Sequence, residues 1–355
     1  MARSRQGTAR RLAGALALVL AGAGLTGCGT FSTDDDRKRA VEIAERVAPG
    51  VLEVVDVRGL FPQSGGAEVS FRIAGDADAV VRLRVDAEKD DCEGRSCDDR
   101  LTAALAEARR EAEGFRVLRR EFAACGYEVH GLSADGTGPW IAARFDADTA
   151  RSVVASVGEC LRRWTRARGT APAPYTSVKV APPERVADLP DSPGRPTLMR
   201  LTADRRLGAL GRGTYHRVGF GPGPGGIDPD SGEVDLVQPF DERQRFGEAV
   251  RAAARTWLRT EAAPRLPEAV TAEFTGVWKL VPGRVDRVGG WVLYCERPEG
   301  ERPVCLGRHA LAVTAGLDGS LAADPVVHHG IRDGNGPLGL PTVEDGAPSY
   351  AWKRS

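Results

Sequence analysis

The chain has 355 residues, 42% of them hydrophobic and 6% aromatic, which is enough apolar material for one or two cores. Its 49 basic and 49 acidic side chains cancel formally, but residues 1–27 carry four arginines and no acid, so the remainder holds 45 basic groups against 49 acidic ones. That mixed, slightly acidic balance argues against a nucleic-acid-binding surface.

The N-terminus reads as a signal peptide. Arg3, Arg5, Arg10 and Arg11 make a basic start, and Leu12 to Leu25 contain only Leu, Ala, Gly and Val, short of the roughly 18 residues of a membrane span. Leu25-Thr26-Gly27-Cys28 then resembles the lipobox of bacterial lipoproteins. The resemblance implies cleavage between Gly27 and Cys28, a diacylglyceryl anchor on Cys28, and a mature chain on the outer face of the cytoplasmic membrane, exported by the Sec or the twin-arginine route. Only five of the 49 basic residues are lysines, and with abundant Ala and Gly this usage resembles high-GC genomes of the actinomycete type. Residues 28–33 form a tether.

An N-terminal domain is expected over 34–168. Ala40, Val41, Ala44 and Val47 recur at helical spacing up to Pro49-Gly50. Val51 to Val57, then Val69, Phe71 and Ile73 alternating with Glu68, Ser70 and Arg72, then Val81, Leu83 and Val85, predict a three-stranded antiparallel meander against that helix. A second helix is predicted from about Asp98, with Leu101, Leu105, Ala108 and Ala112 on one face. A hairpin is predicted around Asp135-Gly136, and a third helix from Asp146 to Arg166.

Seven prolines between residues 169 and 197 predict a linker. A C-terminal domain is expected over 198–330, with short strands at Thr197–Thr202, Thr214–Phe220 and Val234–Val237. A helix capped at Asp241 with Gln244 as its capping-box partner follows, then strands at Val270–Leu280, Val285–Glu296 and Pro303–Ala315. Residues 331–355 read as a Gly- and Pro-rich tail. The fold class expected is therefore α+β, two modules that each lay an amphipathic helix on an antiparallel meander. Helix followed by meander, with Ala-Val-Glu-Ile-Ala at 40–44, Pro49-Gly50 and Arg84-Val85-Asp86-Ala87, resembles PepSY and cystatin-like modules over about 50 residues.

With Cys28 used for lipid, six of the seven cysteines remain, an even number suited to disulfides in an oxidising compartment. Clustering pairs Cys92 with Cys97, Cys125 with Cys160, and Cys295 with Cys305. Zinc would want CxxC-like spacing, which is absent. The last pair is expected to face across a hairpin centred on Gly300.

No catalytic residue, metal ligand or cofactor is assigned. His328-His329 near Asp324 is a metal candidate, but adjacent residues on a strand face opposite sides, so both could ligate only from a turn. Asp228 to Asp235 gathers carboxylates without the EF-hand order and reads as a charged turn. Thr176-Ser177-Val178-Lys179 has threonine where a Ser-x-x-Lys nucleophile needs serine. Prolines interrupt the Gly-x-Gly spacing of Gly219 to Gly226, and no GK[ST] follows. Two functions are weighed: a non-catalytic envelope lipoprotein that binds a protein, peptide or lipid partner, and a secreted hydrolase using His216, His328 or His329. The first is preferred.

Overall fold

Asp34, Asp35 and Asp36 occupy the first turn of α1 (Asp34–Val47), at the positive end of the helix dipole, and Ala40, Ile43 and Ala44 turn inward. The computed structural model describes residues 33–330 except 63, 134–137, 170–175, 225, 276–277, 282, 298–304 and 306. The segment expected as a signal peptide, Cys28 and the residues after 330 lie outside the described residues.

Strands β1 (Leu52–Gly59), β2 (Ala67–Ile73) and β3 (Asp76–Val85) form the expected antiparallel meander. Asp36 ties α1 to it by accepting the Ala87 N–H at 2.8 Å. Ser70, expected at the solvent face, is buried instead. The chain at 194–197 covers that face: Arg195 reaches Asp56 at 2.7 Å, and Arg72 donates to the Gly194 carbonyl at 3.3 Å.

Helix α2 (Cys97–Ala124) buries Leu101, Leu105, Ala108, Ala112, Phe115, Leu118 and Phe122 along one stripe. The hairpin of β4 (Val129–Leu132) and β5 (Pro139–Ala142) follows, its turn at Asp135-Gly136 lying outside the described residues. Helix α3 (Ala150–Arg168) starts four residues later than expected. Asp146 Oδ1 accepts the Asp148 and Thr149 N–H groups, each at 3.1 Å, and so holds a turn ahead of the helix.

Most of the Pro-rich stretch expected as a linker, from residue 176 onward, is built into the fold. It contributes β6 (Thr176–Ala181) and a 3-10 turn at Pro183–Val186. Then come α4 (Thr197–Leu201), α5 (Asp204–Leu210), β7 (Tyr215–Phe220), a small hairpin of β8 (Pro222–Gly223) and β9 (Gly226–Ile227), and β10 (Glu233–Val237). Strand β6 is the middle of a five-stranded sheet ordered β10-β7-β6-β5-β4, antiparallel to β7 but parallel to β5. A parallel neighbour requires a crossover connection, and α3 lies in the connection between β5 and β6. One sheet thus takes strands from both sides of the prolines, and one buried cluster runs from Ala40 to Ala315. Residues 197–201 are helical where a strand was expected, because Pro196 precedes a turn that buries Leu198 and Leu201 three residues apart.

Helix α6 (Phe240–Thr260) follows Pro239, and the expected capping box does not form. Gln244 instead donates to Glu248 at 3.3 Å. Its stripe of Phe246, Val250, Ala254 and Leu258 joins the same core as the third sheet, made of β11 (Val270–Thr275), β12 (Lys279–Leu280), β13 (Arg287–Cys295), β14 (His309–Gly316) and β15 (Val326–His328). The order is β11-β13-β14-β15, with β12 also on β13 and every pairing antiparallel. Gly290 lets Trp278 lie on β13, since a Cβ there would fall 2.3 Å from the indole. Both α1 and α6 are thus followed by an antiparallel sheet. Among the described residues no helix is long and apolar enough to cross a membrane.

The six cysteines pair as expected, with Cα separations of 5.1 Å for Cys92–Cys97, 6.1 Å for Cys125–Cys160 and 5.5 Å for Cys295–Cys305. The geometry of the last pair differs from the expectation. Tyr294 faces His309 in the ladder, so the hairpin is not centred on Gly300, and Cys305 reaches Cys295 from the segment ahead of β14. Gly307 N–H caps this return by donating to Cys295 Sγ at 3.2 Å.

Candidate functional site

Register places a concavity on the central sheet. Trp140, Lys179, Arg217 and Asp235 are successive partners across β5, β6, β7 and β10 and share one face of the central sheet. Tyr215, two residues from Arg217, shares that face and lies 4.5 Å from Trp140 between ring centroids. Lys179 sits 5.1 Å over the Trp140 ring and 3.3 Å from the Ser133 hydroxyl. Arg217 is ion-paired with Asp235.

The opposite wall is a face of α6 on which Arg243, Gly247, Arg251 and Arg255 recur at helical spacing. Thr271, Trp278, Lys279 and Leu280 close the end. The cleft has a volume of about 1250 Å³ and is lined, among the described residues, by six cations (Lys179, Arg217, Arg243, Arg251, Arg255, Lys279) and two carboxylates, Asp235 and Glu248. The site is thus cationic in a chain whose residues after position 27 are net acidic. Its apolar lining comes from Tyr215, Leu236, Val237, Trp278 and Leu280, with Phe240 67% exposed beside them. Two buried polar atoms of lining residues, Thr271 Oγ1 and Trp278 Nε1, have no hydrogen-bond partner among the described residues. Cations and aromatic walls suit an anionic ligand with an apolar body.

No family model, curated protein or solved structure matches this chain.

The histidines proposed for hydrolysis are not brought together. His216 is a β7 residue, buried against Phe145 at 4.5 Å between centroids, and its Nε2 is unpartnered among the described residues. Burial pushes it down to about 4, a hydrogen bond with the Val285 backbone opposing the shift, so the ring is neutral at pH 7. His328 and His329 belong to the third sheet. Strand alternation separates them as expected: His328 meets Trp291 edge-on at 5.1 Å, whereas His329 lies with Glu296 and His309. Asp324 does not join that group.

His309 is the residue that sequence reasoning missed. Its signal was present only in the β13–β14 register, which sets it opposite Tyr294 and so beside Glu296. Burial pushes the Tyr294 phenol up to about 12, with the Glu296 charge adding to the shift, and its hydroxyl is buried without a partner among the described residues.

The remaining sequence candidates divide between the cleft and a turn. Lys179 of the Thr176–Lys179 motif lines the cleft from β6. The acidic stretch at 228–235 is a turn over 228–232 that runs into β10, where Asp235 lines the cleft, and in the turn Asp228 Oδ1 accepts the Asp230 N–H at 2.9 Å. Ser231 locks the turn by donating its hydroxyl to the Asp228 carbonyl at 2.7 Å and accepting the Gly221 N–H at 2.8 Å.

Proposed function

We propose that this chain is an exported lipoprotein, held by diacylglycerol on Cys28 at the outer face of the cytoplasmic membrane. There it acts as a non-catalytic binding protein whose cleft takes an anionic amphiphile with a phosphate or carboxylate head and an apolar body. The observation that supports the reading is the excess of cations over carboxylates around an aromatic and aliphatic lining. Anchoring supplies the rest of the logic, because a tethered cleft meets membrane-derived ligands at high effective concentration and needs only modest intrinsic affinity.

The test titrates lysophosphatidylglycerol and lysophosphatidylcholine, both below their micelle concentrations, against purified protein while tryptophan fluorescence is read. A saturable change with the anionic lipid is expected, reduced in amplitude by Trp278→Phe and weakened roughly tenfold by Arg251→Glu, as loss of a charge-assisted contact implies. Equal responses to both lipids, or an unchanged response in Arg251→Glu, would refute the reading. Anchoring is tested separately: wild-type protein should incorporate labelled fatty acid in cells, and Cys28→Ala should not.

A further inference from the structure

The group formed by Glu296, His309 and His329 lies outside the cleft and carries its own inference. Glu296 leaves the end of β13, His309 opens β14 opposite Tyr294, and His329 directly follows β15. Because Ala310 pairs with His328, the residue on either side of that pair, His309 and His329, falls on the other face of the sheet, the face that also takes Tyr294 and Glu296. Three chain segments distant in sequence thus deliver one carboxylate and two imidazoles to one spot.

The distances suit a shared ion. Glu296 Oε1 lies 3.1 Å from His329 Nδ1 and 4.0 Å from His309 Nε2, and one ligand atom from each residue lies within 4.8 Å of the other two. Ligands held about 2.0–2.1 Å from a tetrahedral ion sit roughly 3.3 Å apart, so closure needs shifts of about an ångström. Glu296 and His329 can make them, since their side chains are 51% and 57% exposed. His309 is the fixed member at 20% exposure, packed 5.3 Å from the Tyr294 ring. The Cys295–Cys305 disulfide steadies the strand end from which Glu296 emerges.

We propose that Glu296, His309 and His329 bind one divalent transition-metal ion of the zinc class, with water as the fourth ligand. Two nitrogens and one carboxylate oxygen form a borderline donor set, which suits Zn²⁺ and Co²⁺ better than the oxygen-seeking Mg²⁺ or Ca²⁺. Gly330 N–H donates to His309 Nδ1 at 3.0 Å, which leaves the neutral ring's proton on Nε2, the side facing Glu296. A metal at Nε2 takes the place of that proton, the ring proton moves to Nδ1, and the Gly330 amide must turn away. Glycine at φ 66° gives this peptide the freedom to do so. The ion would clasp the ends of β13 and β14 to the point where the chain leaves β15.

The test titrates Co²⁺ into the purified full chain, without a histidine tag, follows the visible absorption of tetrahedral cobalt, and then displaces it with Zn²⁺. One saturable equivalent is expected. Glu296→Gln, His309→Ala and His329→Ala should each weaken it at least about tenfold, since even the supporting residues of metal sites cost that much. His328→Ala should leave it within about twofold, because that side chain faces Trp291. Glu296→Gln preserves shape at an exposed position, and unfolding of each variant without added metal separates loss of ligation from loss of fold. Absence of a saturable cobalt spectrum, unchanged affinity in both Glu296→Gln and His329→Ala, or equal losses in His328→Ala and His329→Ala would each overturn the proposal.

Discussion

Cys295 and Cys305 stand 5.5 Å apart at their Cα atoms although the strands beside them are registered Tyr294 to His309, so the disulfide bridges a strand end and a returning loop instead of two facing ladder positions. Non-reducing peptide mapping should recover this pair together with Cys92–Cys97 and Cys125–Cys160, and crossed pairs or free thiols would contradict the assignment. Replacing both members by alanine should cost about 3 kcal/mol for the short loop at Cys295–Cys305, and about 4 kcal/mol for the longer Cys125–Cys160 loop. Denaturant unfolding of the two double variants measures the difference.

The buried His216 makes stability depend on pH in a defined direction. Its folded value of about 4 lies below the roughly 6.5 of an unfolded chain. Between those values the unfolded chain binds a proton that the folded chain refuses, so stability present above pH 6.5 is lost as pH falls toward 4. His216→Phe should remove this component and reduce the stability lost between pH 7 and 4.5 by about 2 kcal/mol. An identical pH profile for wild type and variant would show that His216 is protonated without penalty.

Tyr294 buries a hydroxyl without a partner among the described residues. Removing an unsatisfied buried polar group while keeping the ring should stabilise, so Tyr294→Phe is expected to raise stability by about 1 kcal/mol. A lowered denaturant midpoint would mean that the hydroxyl is hydrogen-bonded in solution.

Strand β6 predicts the behaviour of the isolated N-terminal half. A fragment of residues 33–168 loses the parallel partner of β5, and with it the packing of Trp140 on Lys179 and Tyr215. It should lack the cooperative thermal transition and the near-UV circular dichroism of the full chain. A sharp transition in the fragment would restore the two-module description.

The candidate sites were less legible in the sequence than the elements that carry them. Nothing local to Arg243, Arg251 and Arg255 shows that Lys179, Arg217 and Lys279 approach from three other strands to make a cationic cleft. His328 and His329 were visible as neighbours, and alternation correctly set them apart. The companions of His329 are His309 and Glu296, 20 and 33 positions upstream, reachable only through the β13–β14–β15 register, whereas His328 meets Trp291.

Local periodicity determined the helices α1, α2, α3 and α6, the β1–β2–β3 meander and the neighbour pairing of the cysteines. Each of these is written in the spacing of apolar or sulfur-bearing residues within one or two elements. Tertiary structure alone decided the place of β6, the burial of Ser70, the helical state of residues 197–201, the offset of the Cys295–Cys305 hairpin and the grouping of Glu296 with His309 and His329. The reason is physical. A strand's inward face follows from alternation, but its neighbour, its direction and its register follow from which distant surfaces it buries, and a shift of an odd number of residues exchanges one face for the other.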